Sequence, residues 1–108
     1  MTAKSRMQQI LDMLAEEPDD PELRYMLAME HGSLGDDEGA ARCFLELLSV
    51  IPEYPPAYHQ GARALQRLGR TGEAHDLLQR GIPIALKKGD THAAGEMQEL
   101  MENLEEET

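Results

Sequence analysis

Apolar residues recur along this chain at helical intervals, separated by short polar runs marked with Pro, Gly and Asp. Met7, Ile10, Leu11 and Leu14 share one face of a first segment, which ends at Pro18. Leu23, Leu27, Ala28 and Leu34 form a second stripe, and Ala40, Phe44, Leu47, Leu48 and Ile51 a third. Tyr58, Ala62 and Leu65 make the fourth; Ala74, Leu77, Leu78 and Ile82 the fifth; Ala93, Met97, Leu100 and Leu104 the sixth. Intervals of i, i+3, i+4 and i+7 bury one face of a helix, whereas strands need alternation. The pattern therefore predicts six helices, no strands and one domain over residues 1–108.

The punctuation agrees. Pro21 and Pro55-Pro56 stand at helix starts, where a missing N–H is harmless, and Asp90 is a good N-cap for the last helix. Gly35 and Gly69 stand at helix ends, where a left-handed residue closes the turn. Gly81-Ile82-Pro83 interrupts the segment 71–88, and Pro83 cannot donate to the Gln79 carbonyl. A kink is expected there, with a break into two helices as the alternative.

The stripes also repeat. "LGDDEGA" (residues 34–40) and "LGRTGEA" (residues 68–74) begin 34 residues apart. At that offset Ala28 falls on Ala62, Leu34-Gly35 on Leu68-Gly69, Ala40 on Ala74 and Pro18 on Pro52. A fixed period of this length marks a stack of helix pairs whose terminal helices cover the apolar ends.

A 34-residue helix-turn-helix unit with Leu-Gly at its turn, Ala five residues after that Gly and Pro after the second helix resembles the tetratricopeptide repeat. The resemblance covers residues 21–52 and, with more departures, 55–88. Leu27-Ala28 stands for the family's usual Leu-Gly; Ala40, Phe44 and Pro52 occupy its small, aromatic and proline positions. Arg24 and Tyr58 replace a common Trp, His31 and Leu65 a common Tyr, Leu47 and Gly81 a usual Ala, and Leu86 the closing Pro. The resemblance implies a short right-handed α-α superhelix of antiparallel helix pairs. Its parts would be a flanking helix at 3–17, repeats at 21–54 and 55–88, and a capping helix at 90–105.

It also implies a non-catalytic interaction module that binds a short peptide in a concave groove. Carried onto this chain, the groove lining would be Tyr25, Met26 and Met29 from the first repeat and His59, Gln60, Arg63 and Arg67 from the second. Met suits adaptable apolar contact, and two Arg one turn apart suit a carboxylate. The ligand class expected is a peptide with an apolar anchor beside an acidic residue or a C-terminal carboxylate. The clamp that some relatives use for chaperone tails is not expected, because Tyr25, Met29 and Ala94 stand at positions needing Lys, Asn and a base, and Gln60 only partly matches an Asn.

Composition narrows the picture. Ten basic residues oppose 21 acidic ones, a formal charge of −11, which repels nucleic acid and anionic membrane surfaces at long range. The bases concentrate at residues 63–88, where Arg63, Arg67, Arg70, Arg80, Lys87 and Lys88 outnumber Glu73 and Asp76. No segment offers the roughly 20 apolar residues of a bilayer span. The N-terminus does not read as a signal peptide, and Cys43 is the sole cysteine. A cytoplasmic location is expected.

Gly69-Arg70-Thr71-Gly72 raises the possibility of a backbone clamp of the Gly-x-x-Gly kind. Its counterpart 34 residues earlier carries Asp36-Asp37 instead, which would repel a phosphate, so a helix-closing turn is expected and no nucleic-acid partner. His31, His59, His75 and His92 show no metal-binding spacing, and Cys43 lies inside a predicted helix without a partner base. No metal, cofactor or catalytic residue is expected. Two sets of readings stay open. Met26 and Met29 belong either to the core or to the groove. Arg63 and Arg67 serve either a ligand or internal partners such as Glu30. Self-association through the Met-bearing face is the alternative function.

Overall fold

The computed structural model describes residues 4–107. These form α1 (Arg6–Glu16), α2 (Pro21–Ser33), α3 (Asp37–Val50), α4 (Pro55–Arg67), α5 (Thr71–Lys87) and α6 (Thr91–Glu106), with no strand among the described residues. Each helix packs on its chain neighbours, as short connections between antiparallel helices require. Beyond those neighbours, α4 also meets α2 and α6, whereas α3 and α5 do not meet. Thus α2, α4 and α6 form an inner row and α3 and α5 a splayed outer one. A row drawn together on one side and parted on the other makes that stack concave along α2–α4–α6. The stack is elongated, 50 × 28 × 21 Å, and its radius of gyration of 14.5 Å exceeds the roughly 13 Å of a compact domain of this length.

The starts and ends of these helices follow from local chemistry. Ser5, Asp20, Asp36 and Asp90 accept hydrogen bonds from first-turn backbone N–H groups of α1, α2, α3 and α6, relieving donors that a helix cannot satisfy internally. The closing turns of α2, α4 and α5 are alike. Asp36, Arg70 and Asp90 donate their N–H to the carbonyls of His31, Leu65 and Ala85, each at 2.9 Å. Gly35, Gly69 and Gly89 donate to Gly32, Gln66 and Leu86. This is the Schellman pattern, and it requires the left-handed backbone these three glycines adopt (φ 82°, 76° and 76°).

The 34-residue offset extends to side chains that differ. Arg24 Nε donates to the Pro18 carbonyl at 2.8 Å, and Tyr58 Oη donates to the Pro52 carbonyl at 2.8 Å. Both pairs are six residues apart, and the second is the first shifted by one repeat. A guanidinium and a phenol do the same job: each ties a helix to the proline turn before it.

The core holds Phe44, Leu47, Leu48, Tyr58, Leu65, Leu77, Leu78, Met97 and Leu104, with small Ala28, Ala40, Ala62 and Ala74 where helices cross. Gly81 allows the tightest approach of α5: a Cβ there would lie 2.5 Å from Tyr58 Cβ and 2.9 Å from Met97 Sδ. Pro83 does not break α5, which runs unbroken from Thr71 to Lys87. One expected core residue is displaced. Leu34 caps α2 rather than continuing it, so it leaves the buried face and is 66% exposed. Leu23 and Leu27 are half-buried, which leaves Ala28 as the one buried residue of α2. Leu11 of α1 is exposed as well, and Ile10 alone of that helix is buried.

Candidate functional site

The inner row carries two adjoining grooves. The first runs between α2 and α4, encloses about 260 Å³ and is lined by Met29, Gly32, Gln60, Arg63 and Arg67 over a floor of Ala28, Ala40 and Phe44. The second runs between α4 and α6, encloses about 350 Å³ and is lined by His59, Arg63, Gln66, Glu96, Glu99, Leu100 and Asn103. Arg63 lines both, so the two are halves of one channel across the concave face.

Of the residues expected in a groove, Met29, Gln60, Arg63 and Arg67 come together in the first half, and His59 joins Arg63 in the second. Met29 is 41% exposed, so it lies at the groove mouth rather than in the core. Tyr25 and Met26 line neither half. Both are half-buried, and the Tyr25 ring packs against Phe44 and Tyr54, with centroids 5.7 Å away in each case. Tyr25 and Met29 are one turn apart on the same face of α2, so the split is one of height along the helix. Met29 lies level with Gln60 and Arg63 of α4, while Tyr25, a turn nearer the start of α2, lies level with Tyr54 at the start of α4.

The two arginines differ. Arg67 Nε donates to Asp37 Oδ1 at 2.8 Å, an anchor on the first turn of α3. Glu30 is engaged elsewhere, with Arg6 at 3.1 Å. Arg63 is exposed and, among the described residues, makes no hydrogen bond or ion pair. The remaining bases of the central segment are largely occupied. Arg70 bonds Glu73 and reaches Glu38, Arg80 lies over the Tyr58 ring at 5.9 Å, and Lys88 donates to the Glu53 carbonyl. Arg70 is thus held by two carboxylates in the very loop whose Gly-x-x-Gly pattern suggested a clamp.

On the other wall, Glu96 binds His92 Nε2 at 2.5 Å and approaches His59 Nδ1 at 3.8 Å. Burial holds the His59 imidazole below the usual histidine range, an effect that Glu96 opposes and Arg63 reinforces. Glu96, Glu99 and Asn103 were outside the sequence expectation, because the 34-residue frame ends before α6. The signal available was their spacing on α6, beside the apolar face of Met97 and Leu104.

Among the described residues no three or more His, Cys, Asp or Glu side chains are placed to hold a metal ion. Cys43 is half-buried and its thiol is pushed up by that burial, away from nucleophile behaviour. Among the described residues no helix is long and apolar enough to cross a membrane.

An elongated stack of helix pairs with matched Schellman turns and a concave inner row defines a helical-repeat protein. No family model matches the sequence, and no curated protein matches it. Solved structures do. The crystal structure of a tetratricopeptide repeat domain protein from Salinibacter ruber is 32% identical with a TM-score of 0.75, covering 80% of this chain and 96% of that one. A solution NMR structure of a tetratricopeptide repeat domain protein from Salinibacter ruber is 33% identical with a TM-score of 0.77, covering 82% and 89%. The solution structure of a protein from Bordetella parapertussis, 23% identical, shares the fold at a TM-score of 0.84 over 97% and 91% of the two chains. The chain belongs to the tetratricopeptide repeat family.

Proposed function

We propose that this protein is a non-catalytic interaction module that takes a short peptide segment along the α2–α4–α6 channel, with Arg63 receiving a carboxylate. The observation that carries this reading is Arg63 itself. It is an exposed guanidinium without an ionic partner among the described residues, in a protein of charge −11, set where both halves of the channel meet. Folding has no use for it there, since an exposed pair contributes only about 0–1 kcal/mol even when made. Met29 beside it offers an adaptable apolar contact. The carboxylate is either an acidic side chain or a peptide C-terminus. A lone half-buried Cys43 fits a reducing compartment, so the partner is sought in the cytoplasm.

The test is selection from an array of random dodecapeptides with free C-termini, using the wild-type protein and Arg63→Glu. The wild type is expected to retain peptides with an acid or terminal carboxylate next to an apolar residue. Arg63→Glu, with unchanged helicity by circular dichroism, is expected to lose them. Retention of the same peptides by both proteins would overturn the role of Arg63. The alternative, self-association through exposed Met29, predicts a concentration-dependent dimer by light scattering that Met29→Lys abolishes.

A further inference from the structure

The two halves of the channel have opposite electrical character. Between α2 and α4 the charged lining is Arg63 and Arg67, with no carboxylate among the lining residues. Between α4 and α6 the far wall carries Glu96 and Glu99, with Asn103 beside them and half-buried Leu100. Glu96 is oriented by His92. Glu99 and Asn103 make no hydrogen bond or ion pair among the described residues. A purely acidic peptide lying across both halves would meet repulsion as soon as it passed Arg63. A segment of mixed charge would be complemented along its whole length.

We infer that the α4–α6 half of the channel is a subsite for a basic side chain, so that the ligand is a dipolar peptide. Its carboxylate lies over Arg63, and a Lys or Arg a few residues away reaches Glu99 and Asn103. This inference rests on the peptide-channel reading and goes beyond it by assigning a second, oppositely charged position. Packed helices stand about 8–10 Å apart, and an extended chain advances about 3.3–3.6 Å per residue. The base and the acid are therefore separated by about three positions. Glu99 then acts as a specificity residue, since it disfavours acid-only segments as well as attracting bases.

The same dodecapeptide array tests this with Glu99→Lys added. Glu99 is exposed and takes no part in the core, so the substitution leaves the fold intact. The wild type is expected to enrich peptides with Lys or Arg about three positions from an acid. In fluorescence anisotropy, an enriched peptide is expected to lose about twofold to fivefold in affinity on changing its Lys to Ser or on Glu99→Lys. Glu99→Lys is further expected to enrich acid-only peptides. If the wild type already retains acid-only peptides as well as mixed ones, and Glu99→Lys changes nothing, the basic subsite is overturned while the carboxylate role of Arg63 stands. If the wild type retains no carboxylate-bearing peptides, both are overturned together.

Discussion

Gly81 and Gly95 are both glycines inside helices, and the structure gives them opposite meanings. At Gly81 a methyl group would press into the Tyr58 Cβ and ring and the Met97 sulfur. Tyr58 cannot retreat, since it is buried and tied to Pro52 through its hydroxyl. Gly81→Ala is expected to lower stability by about 1–3 kcal/mol in urea denaturation. At Gly95 the added methyl meets open space, so Gly95→Ala is expected to raise stability by about 0.5–1 kcal/mol by favouring the helix. A neutral result at Gly81 would mean that α4 and α5 are not held as closely as described. Sequence spacing placed Gly81 where the family usually has Ala, but the reason for Gly is a contact with a residue 23 positions away and with α6, which no local pattern reveals. Arg63 and Arg67 make the same point for the candidate site. Their shared helix face was legible from i, i+4 spacing, yet only the position of Asp37 separates the anchored arginine from the one that has no ionic partner among the described residues.

Helices begin and end here for reasons that are mostly local. Pro, Asp and Gly announced all five junctions between the six helices well enough to frame the repeat, and the three matched closing turns follow from glycine's freedom at positive φ. Leu34 shows the limit of periodicity: its spacing continues the α2 stripe, but the Schellman turn ends the helix first and turns the side chain out. The tie between a helix and the preceding proline turn lies at this scale too. Tyr58→Phe keeps the ring in the core and removes only the donor to Pro52. It is expected to cost about 0.5–1.5 kcal/mol. Urea denaturation measures it, and no change would mean that water replaces the hydroxyl at the Pro52 carbonyl.

Across the whole molecule, each helix is supported by its neighbours and by little else, as in any one-dimensional stack. The deepest burial lies in α3, α4 and α5, while α1 contributes Ile10 alone and meets only α2. Native-state hydrogen exchange is expected to show the slowest amides in α3–α5 and the fastest in α1. Protection in α1 equal to that in α4 would contradict this gradient. The channel likewise belongs to the assembled stack, because its lining comes from α2, α4 and α6 and no single repeat contains it.

The sequence by itself determined the helices, their period and the family, because caps, glycine turns and apolar spacing act over a few residues and repeat with the chain. It also brought forward Met29, His59, Gln60, Arg63 and Arg67, which line the channel, but not Gly32, Ser33 or Gln66 beside them. Only the tertiary structure decided which row is concave, which arginine Asp37 holds, and that Glu96, Glu99 and Asn103 of α6 complete the channel. Those outcomes depend on distances between side chains far apart in the chain. Such distances are set by how the helices pack against one another, and the period of the repeat does not encode them.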